Sequence, residues 1–150
     1  MDKVLHSSES VEWGTPPDLY AKLNKRYCFD YDPASTHENH LTYRYSTLEG
    51  TFDDHNGHLL KLGDEDGLEW EWDDNHIFLN PPYGRGIGAW MKKAAEADAL
   101  VVALLPVRTG SGWWKEWVEP YADIEFLRGR LTFVGARWPA PFDSAIARYR

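Results

Sequence analysis

Seven consecutive apolar residues, Ala99-Leu100-Val101-Val102-Ala103-Leu104-Leu105, end at Pro106 and constrain the fold more than any other segment of the chain. The run is too short to span a membrane and shows none of the apolar–polar alternation of a half-exposed strand. It predicts a central parallel strand buried on both faces, closed by a proline that donates no ladder hydrogen bond. Ahead of it, Gly86 to Asp98 reads as an amphipathic helix with Ile87, Trp90, Met91 and Ala94 close to one stripe. Earlier still, Ile77 to Asn80 reads as a second buried strand. Strand, helix and strand, followed by a short Trp-rich helix (Ser111 to Val118) and a terminal strand group, predict an α/β fold built as a three-layer sheet.

The remaining elements are less regular. Thr15-Pro16-Pro17-Asp18 is a helix start, with Thr15 as the cap and a proline in the first turn. That helix is expected to run to about Arg26, with Leu19 and Leu23 on one face. Tyr27 to Tyr31 reads as a short strand ended by Asp32-Pro33, and Ala34 to Tyr45 as a weak helix or loop. Thr47 to Asp66 is polar, acidic and glycine-containing, which predicts a surface excursion with His55 and His58 solvated. Strands are expected at Ile124 to Leu127, Leu131 to Val134 and Ser144 to Tyr149. With 150 residues, 43% of them hydrophobic, the chain fits one domain spanning 1–150, with residues 1–12 as a flexible N-terminus.

Composition narrows the function classes. No stretch of about 18 uninterrupted apolar residues is present, so no membrane partner is expected. Met1 to Ser7 lacks the apolar core of a signal peptide, and Cys28 is the single cysteine. A reduced, cytoplasmic setting follows, with no disulfide framework and no metal expected. Net charge is −8, but residues 1–79 carry 6 Lys and Arg against 17 Asp and Glu, whereas residues 80–150 carry 10 against 7. The basic half is rich in arginine, which suits phosphate and guanine contacts.

Chemistry concentrates where the Ile77-to-Asn80 strand ends, at Asn80-Pro81-Pro82-Tyr83. There a planar NH₂ group would meet two acceptors and an aromatic face: the Asn80 side-chain oxygen, the Pro81 and Pro82 carbonyls, and the Tyr83 ring. Proline forces its predecessor out of the helical region, so the segment leaves the strand as a stiff, extended turn. This arrangement suits methylation of an amino group conjugated to a ring or carbonyl.

Trp13-Gly14-Thr15-Pro16-Pro17, Asp66-Gly67-Leu68, Leu104-Leu105-Pro106 and Gly129-Arg130-Leu131-Thr132-Phe133 accompany that motif in order. Together, from Trp13 to about Tyr149, the chain resembles the small Dam-like family of phage and prophage DNA N6-adenine methyltransferases. The resemblance implies a Rossmann-like methyltransferase sheet, compact and mostly parallel, with a terminal antiparallel strand. It also implies S-adenosylmethionine as cofactor and DNA as partner. Trp13, Thr15 and Pro16 would lie near the cofactor's carboxylate, and Asp66 and Leu68 near its adenine. A Phe-x-Gly-x-Gly loop common among methyltransferases is absent after the first strand. Asp32-Pro33-Ala34 would replace it through backbone contacts, or Asp32 would grip the ribose hydroxyls.

On this resemblance Asn80, Pro81, Pro82 and Tyr83 are the catalytic candidates, acting on an adenine taken out of the duplex. Arg108 and Arg130 are the candidate DNA contacts. Phe133 and Trp138 are expected in the core, and Trp113, Trp114 and Trp117 mainly in packing. An N4-cytosine enzyme and a methyltransferase acting on another amino or amide group share the same motif. A non-catalytic DNA mimic of the same fold would suit the acidic first half, although it would have no use for an intact Asn80-to-Tyr83 motif.

Overall fold

The computed structural model describes residues 13–150, so the expected flexible segment 1–12 lies outside the described residues. Helix α1 spans Pro17–Tyr27 and places Pro17 in its first turn, where the missing N–H costs nothing. The cap position belongs to Pro16, which has no side-chain donor or acceptor; the expected Thr15 cap is not made. Asp18 in the first turn and Lys25 and Arg26 in the last complement the helix dipole. The chain then turns through Cys28, whose left-handed backbone (φ 54°) stops the helix and breaks the strand expected over Tyr27 to Tyr31. Only Tyr31–Asp32 remains as strand β1.

Strands β2 (Arg44–Thr47), β3 (Gly50–Asp53) and β4 (Leu60–Gly63) follow. This corrects the surface excursion expected from Thr47 to Asp66, because β3 is buried inside the sheet. The buried hydroxyls of β1, β2 and β3 satisfy one another. The Tyr31 hydroxyl lies 2.5 Å from Ser46 Oγ, Ser46 Oγ lies 2.6 Å from Thr51 Oγ1, and Thr51 Oγ1 donates to the Glu65 carbonyl at 3.2 Å. A hydroxyl with a partner can be buried at little cost, so a polar sequence hides an interior strand. His55 and His58 are exposed, as expected.

Strand β5 (His76–Leu79), helix α2 (Ile87–Glu96) and strand β6 (Leu100–Pro106) form the parallel unit read from the sequence, with Ile77 opposite Val101 and Leu79 opposite Ala103. Ile87, Trp90, Met91 and Ala94 are the buried face of α2. A π-helical turn at Trp114–Val118 buries Trp114 fully and Trp113 and Trp117 in part. Strands β7 (Asp123–Phe126) and β8 (Ser144–Tyr149) complete the sheet. The strand expected at Leu131 to Val134 is absent; that segment makes a single bridge, Val134 to Gly14.

Among the described residues the eight strands are ordered β4-β3-β2-β1-β5-β6-β8-β7. The fold is therefore α/β, but the expected mostly parallel sheet needs correction. Parallel pairing holds only through the central strands β2-β1-β5-β6, and antiparallel ladders flank it on both sides. Two-residue and similarly short links allow only antiparallel neighbours, as at β2–β3 across Leu48-Glu49. The apolar run of β6 is buried on both faces, yet one of its neighbours, β8, is antiparallel. Connections diverge from the centre: β1 leads outward to β2, and β5 leads outward to β6. Between the C-terminal ends of β1 and β5 the sheet has a switch point, where open α/β sheets form their ligand crevice. Among the described residues no helix is long and apolar enough to cross a membrane.

Candidate active site

A cleft of about 650 Å³ opens at that switch point, a size typical of small-molecule sites. Asp32 ends β1 on one side of it, and Asn80 follows β5 on the other. Trp13 and Thr15 approach from the segment before α1, Asp66 and Gly67 from the turn before β5, and Pro81 and Pro82 continue from Asn80. Phe78 and Trp90 add apolar surface.

The Asn80 amide has a defined orientation. Its Nδ2 donates to the Trp13 carbonyl and to Thr15 Oγ1, the latter at 2.9 Å. A carbonyl oxygen only accepts, so the NH₂ group must face Trp13 and the amide cannot be reversed without an acceptor–acceptor clash. Asn80 Oδ1 is thereby turned away from both and has no hydrogen-bond partner among the described residues. Thr15, expected as a helix cap, instead uses its hydroxyl to hold this amide, and it also lines the cleft as a cofactor candidate.

Asp32 is the buried carboxylate of the cleft, 3% exposed. Its oxygens accept long bonds from Ala34 N (3.4 Å) and Leu41 N (3.3 Å), and no cation pairs with it among the described residues. Burial pushes its pKa up to about 7, with the two backbone N–H groups opposing that rise. Asp66 is held differently: its Oδ1 accepts Leu68 N at 3.0 Å, and its carbonyl accepts Glu69 N and Trp70 N. Gly67 brings that turn against the Asp32-Pro33-Ala34 segment so closely that a Cβ would sit 1.8 Å from the Pro33 carbonyl oxygen. The Gly67 carbonyl in turn accepts the Trp72 indole N–H at 2.7 Å.

Four of the six cofactor candidates, Trp13, Thr15, Asp32 and Asp66, line the cleft together. Pro16 and Leu68 do not; Leu68 packs against the hydrophobic core. Of the four catalytic candidates, Asn80, Pro81 and Pro82 reach the cleft, whereas Tyr83 sits behind it, 7% exposed. The Tyr83 hydroxyl donates to the Leu104 carbonyl at 3.1 Å, and its ring meets Phe142 and Phe133 edge-on at 5.7 and 6.5 Å. Burial holds this phenol far above its ordinary range.

Arg108 is exposed and lies over the Phe142 ring at 5.2 Å, and Arg130 is exposed on the loop between β7 and β8. Phe133 is in the core, as expected, but Trp138 is 70% exposed, which corrects its expected burial. Sequence reading also missed cleft walls at Ser35 to Asn39 and Ser46 to Glu49, and the buried Trp90 side chain as part of the cleft lining. The signal for the first was present: Ser, Thr and Asn clustered directly after an acid at a strand end. Among the described residues no group of three His, Cys, Asp or Glu is placed to hold a metal ion.

The described residues thus form an open α/β sheet with a ligand cleft at its switch point, walled by a buried acid and an oriented asparagine amide before two prolines. The chain belongs to the DNA N-6-adenine-methyltransferase (Dam) family, whose model matches residues 3–147. It is similar to the DNA N-6-adenine-methyltransferase of Escherichia phage T1, with 29% identity over 124 residues. That match covers 80% of this chain and 46% of the phage protein, so the chain spans about half the length of this relative.

Proposed function

We propose that this protein transfers a methyl group from S-adenosylmethionine to N6 of an adenine flipped out of DNA, in the cytoplasm of a bacterial host. The observation that carries the reading is the Asn80 amide, whose NH₂ is engaged by Trp13 and Thr15 and whose Oδ1 is left as an acceptor in a cleft that Pro81 also lines. Membership of the Dam family supports adenine as the base. The four parallel central strands then correspond to the core of a three-layer, Rossmann-like methyltransferase sheet, with antiparallel pairs added at both edges.

The residues of the cleft fit the cofactor by their chemistry. Asp32 would accept the two ribose hydroxyls, which explains a carboxylate buried without a cation. Asp66 would accept from the adenine amino group, and Phe78 and Trp90 would cover apolar surface. Trp13 and Thr15 would border the amino-acid end, while Pro16 and Leu68 hold the walls from behind. When bound, S-adenosylmethionine supplies an electrophilic methyl group on a sulfonium centre.

Asn80 Oδ1 and the Pro81 carbonyl would accept the two N6 hydrogens of the target base. Both bonds strengthen as N6 becomes tetrahedral, because its hydrogens then carry more positive charge. A fixed amide does this without reorganising at the moment of reaction, and the Pro81-Pro82 turn keeps the two acceptors at one spacing. No strong base is required: the methylated ammonium is acidic and passes its proton to water. Tyr83 would stack on the flipped ring after the aromatic cluster with Phe133 and Phe142 separates from it. Arg108 would contact the DNA backbone.

The test is to incubate the protein with methyl-labelled S-adenosylmethionine and bacterial or phage DNA, then digest the DNA and analyse the nucleosides by mass. N6-methyladenine is the expected product. Label appearing only in N4-methylcytosine, in RNA or in protein would replace the substrate assigned here.

A further inference from the structure

The loop between β7 and β8, from Leu127 to Asp143, carries features that the methyl-transfer chemistry does not use. Arg128, Arg130 and Arg137 lie on it, and no carboxylate occurs from Leu127 to Phe142, in a chain whose net charge is −8. All three arginines are exposed, and none forms an ion pair among the described residues. Trp138 projects from the same loop at 70% exposure, with the Arg137 guanidinium 5.4 Å from its ring centroid. Among the described residues it is the one tryptophan in the set of exposed large apolar side chains.

The loop is nonetheless well anchored. Ala140 N donates to Leu131 O at 2.8 Å and closes its base, and Val134 N donates to Gly14 O at 2.9 Å. Phe133 turns inward, 5.3 Å from the Trp13 ring, so the loop is fastened to the segment that orients Asn80. Pro139 and Pro141 stiffen the return to β8. An anchored support, an outward aromatic face and three exposed arginines on the same loop match the chemistry of an unstacked nucleobase with its flanking phosphates.

We propose that this loop is a DNA-contacting arm in which Trp138 stacks on an unpaired base while Arg128, Arg130 and Arg137 hold the flanking phosphates. The inference rests on DNA being the substrate and adds the element that grips it. Because the arm is fixed to Gly14 and Trp13, a base stacked on Trp138 positions its strand relative to Asn80. The arm is separate from the cleft, and its residues are not among those that would hold the cofactor.

The experiment measures binding of a short fluorescein-labelled DNA duplex containing one unpaired base, by anisotropy across a salt series, in the presence of S-adenosylmethionine. Trp138→Ala should weaken binding about 5- to 150-fold, as loss of one base–aromatic stack does, and leave the salt dependence unchanged. Each of Arg128→Gln, Arg130→Gln and Arg137→Gln should lower the slope of log affinity against log salt by about one. Cofactor affinity by calorimetry and the melting temperature should stay at wild-type values in all four variants. Wild-type DNA affinity and salt slope in the variants would overturn the arm while leaving DNA as the substrate. A wild-type protein that binds no DNA at all would overturn both. An affinity loss with the fully paired duplex equal to that with the unpaired base would overturn stacking by Trp138.

Discussion

Asp32→Asn tests the cleft through a property that few other residues share. The carboxyl has an ordinary value of 3.8 and is raised to about 7 by burial. Between those values the folded protein keeps the proton and the unfolded chain does not, so this group lowers stability as pH rises through the interval and adds no further loss above it. The full displacement corresponds to about 4 kcal/mol, at about 1.4 kcal/mol per tenfold change in proton affinity. Asparagine has no charge to bury but turns one NH₂ hydrogen towards Ala34 N or Leu41 N, which forfeits a long hydrogen bond and costs about 1 kcal/mol. Asp32→Asn should therefore be more stable than wild type by about 3 kcal/mol above neutrality, with the difference shrinking towards acid pH.

Urea denaturation of both proteins from about pH 5 to about pH 8 measures this, and their difference cancels every other titrating group. Ligand binding should run in the opposite sense. Hydroxyl donors favour the charged carboxylate, so wild-type affinity for S-adenosylmethionine should rise with pH up to about 7 and level off, with a proton released on binding below that point. The asparagine variant should bind weakly and without pH dependence. A pH-independent stability difference, or an Asp32→Asn protein less stable than wild type at about pH 8, would refute the reasoning.

Other outcomes follow from single contacts. Thr15→Val keeps the shape of the side chain but removes the acceptor for Asn80 Nδ2, so kcat for methylation should fall about tenfold or more with cofactor affinity nearly unchanged, and Thr15→Ser should restore it. Gly67→Ala places a methyl 1.8 Å from the Pro33 carbonyl oxygen; it should lower the melting temperature and weaken cofactor binding together, as calorimetry would show. Tyr83→Phe loses only the bond to the Leu104 carbonyl, so chemical denaturation should report a loss of about 1 kcal/mol while methylation persists.

The parts of this molecule legible in the sequence are those where one physical signal dominates. Unbroken apolarity marked β6, helical spacing marked the buried face of α2, and a strand ending in Asn-Pro-Pro marked one wall of the cleft. The hairpin of β2 and β3 is illegible in sequence because Ser46 and Thr51 are interior yet polar, and their hydroxyls are satisfied only by tertiary partners such as Tyr31 and the Glu65 carbonyl. The strand ending at Tyr31 is shorter than its sequence suggests, because the left-handed turn at Cys28 has no glycine to announce it. Thr15 had every mark of a helix cap, but a partner 65 residues away claims its hydroxyl. Trp138 and Phe133 look alike as aromatics in an apolar stretch, and only the anchoring of the loop at Gly14 decides which one turns inward.

The most direct measurement compares single-turnover methylation of DNA by wild type and Asn80→Ala, alongside cofactor affinity by calorimetry. Loss of the Oδ1 acceptor should cut the rate of N6-methyladenine formation at least about 100- to 1,000-fold, as removal of one preorganised transition-state contact does, with S-adenosylmethionine still bound at near wild-type affinity. Near-normal methylation by Asn80→Ala would contradict the central role assigned to that amide.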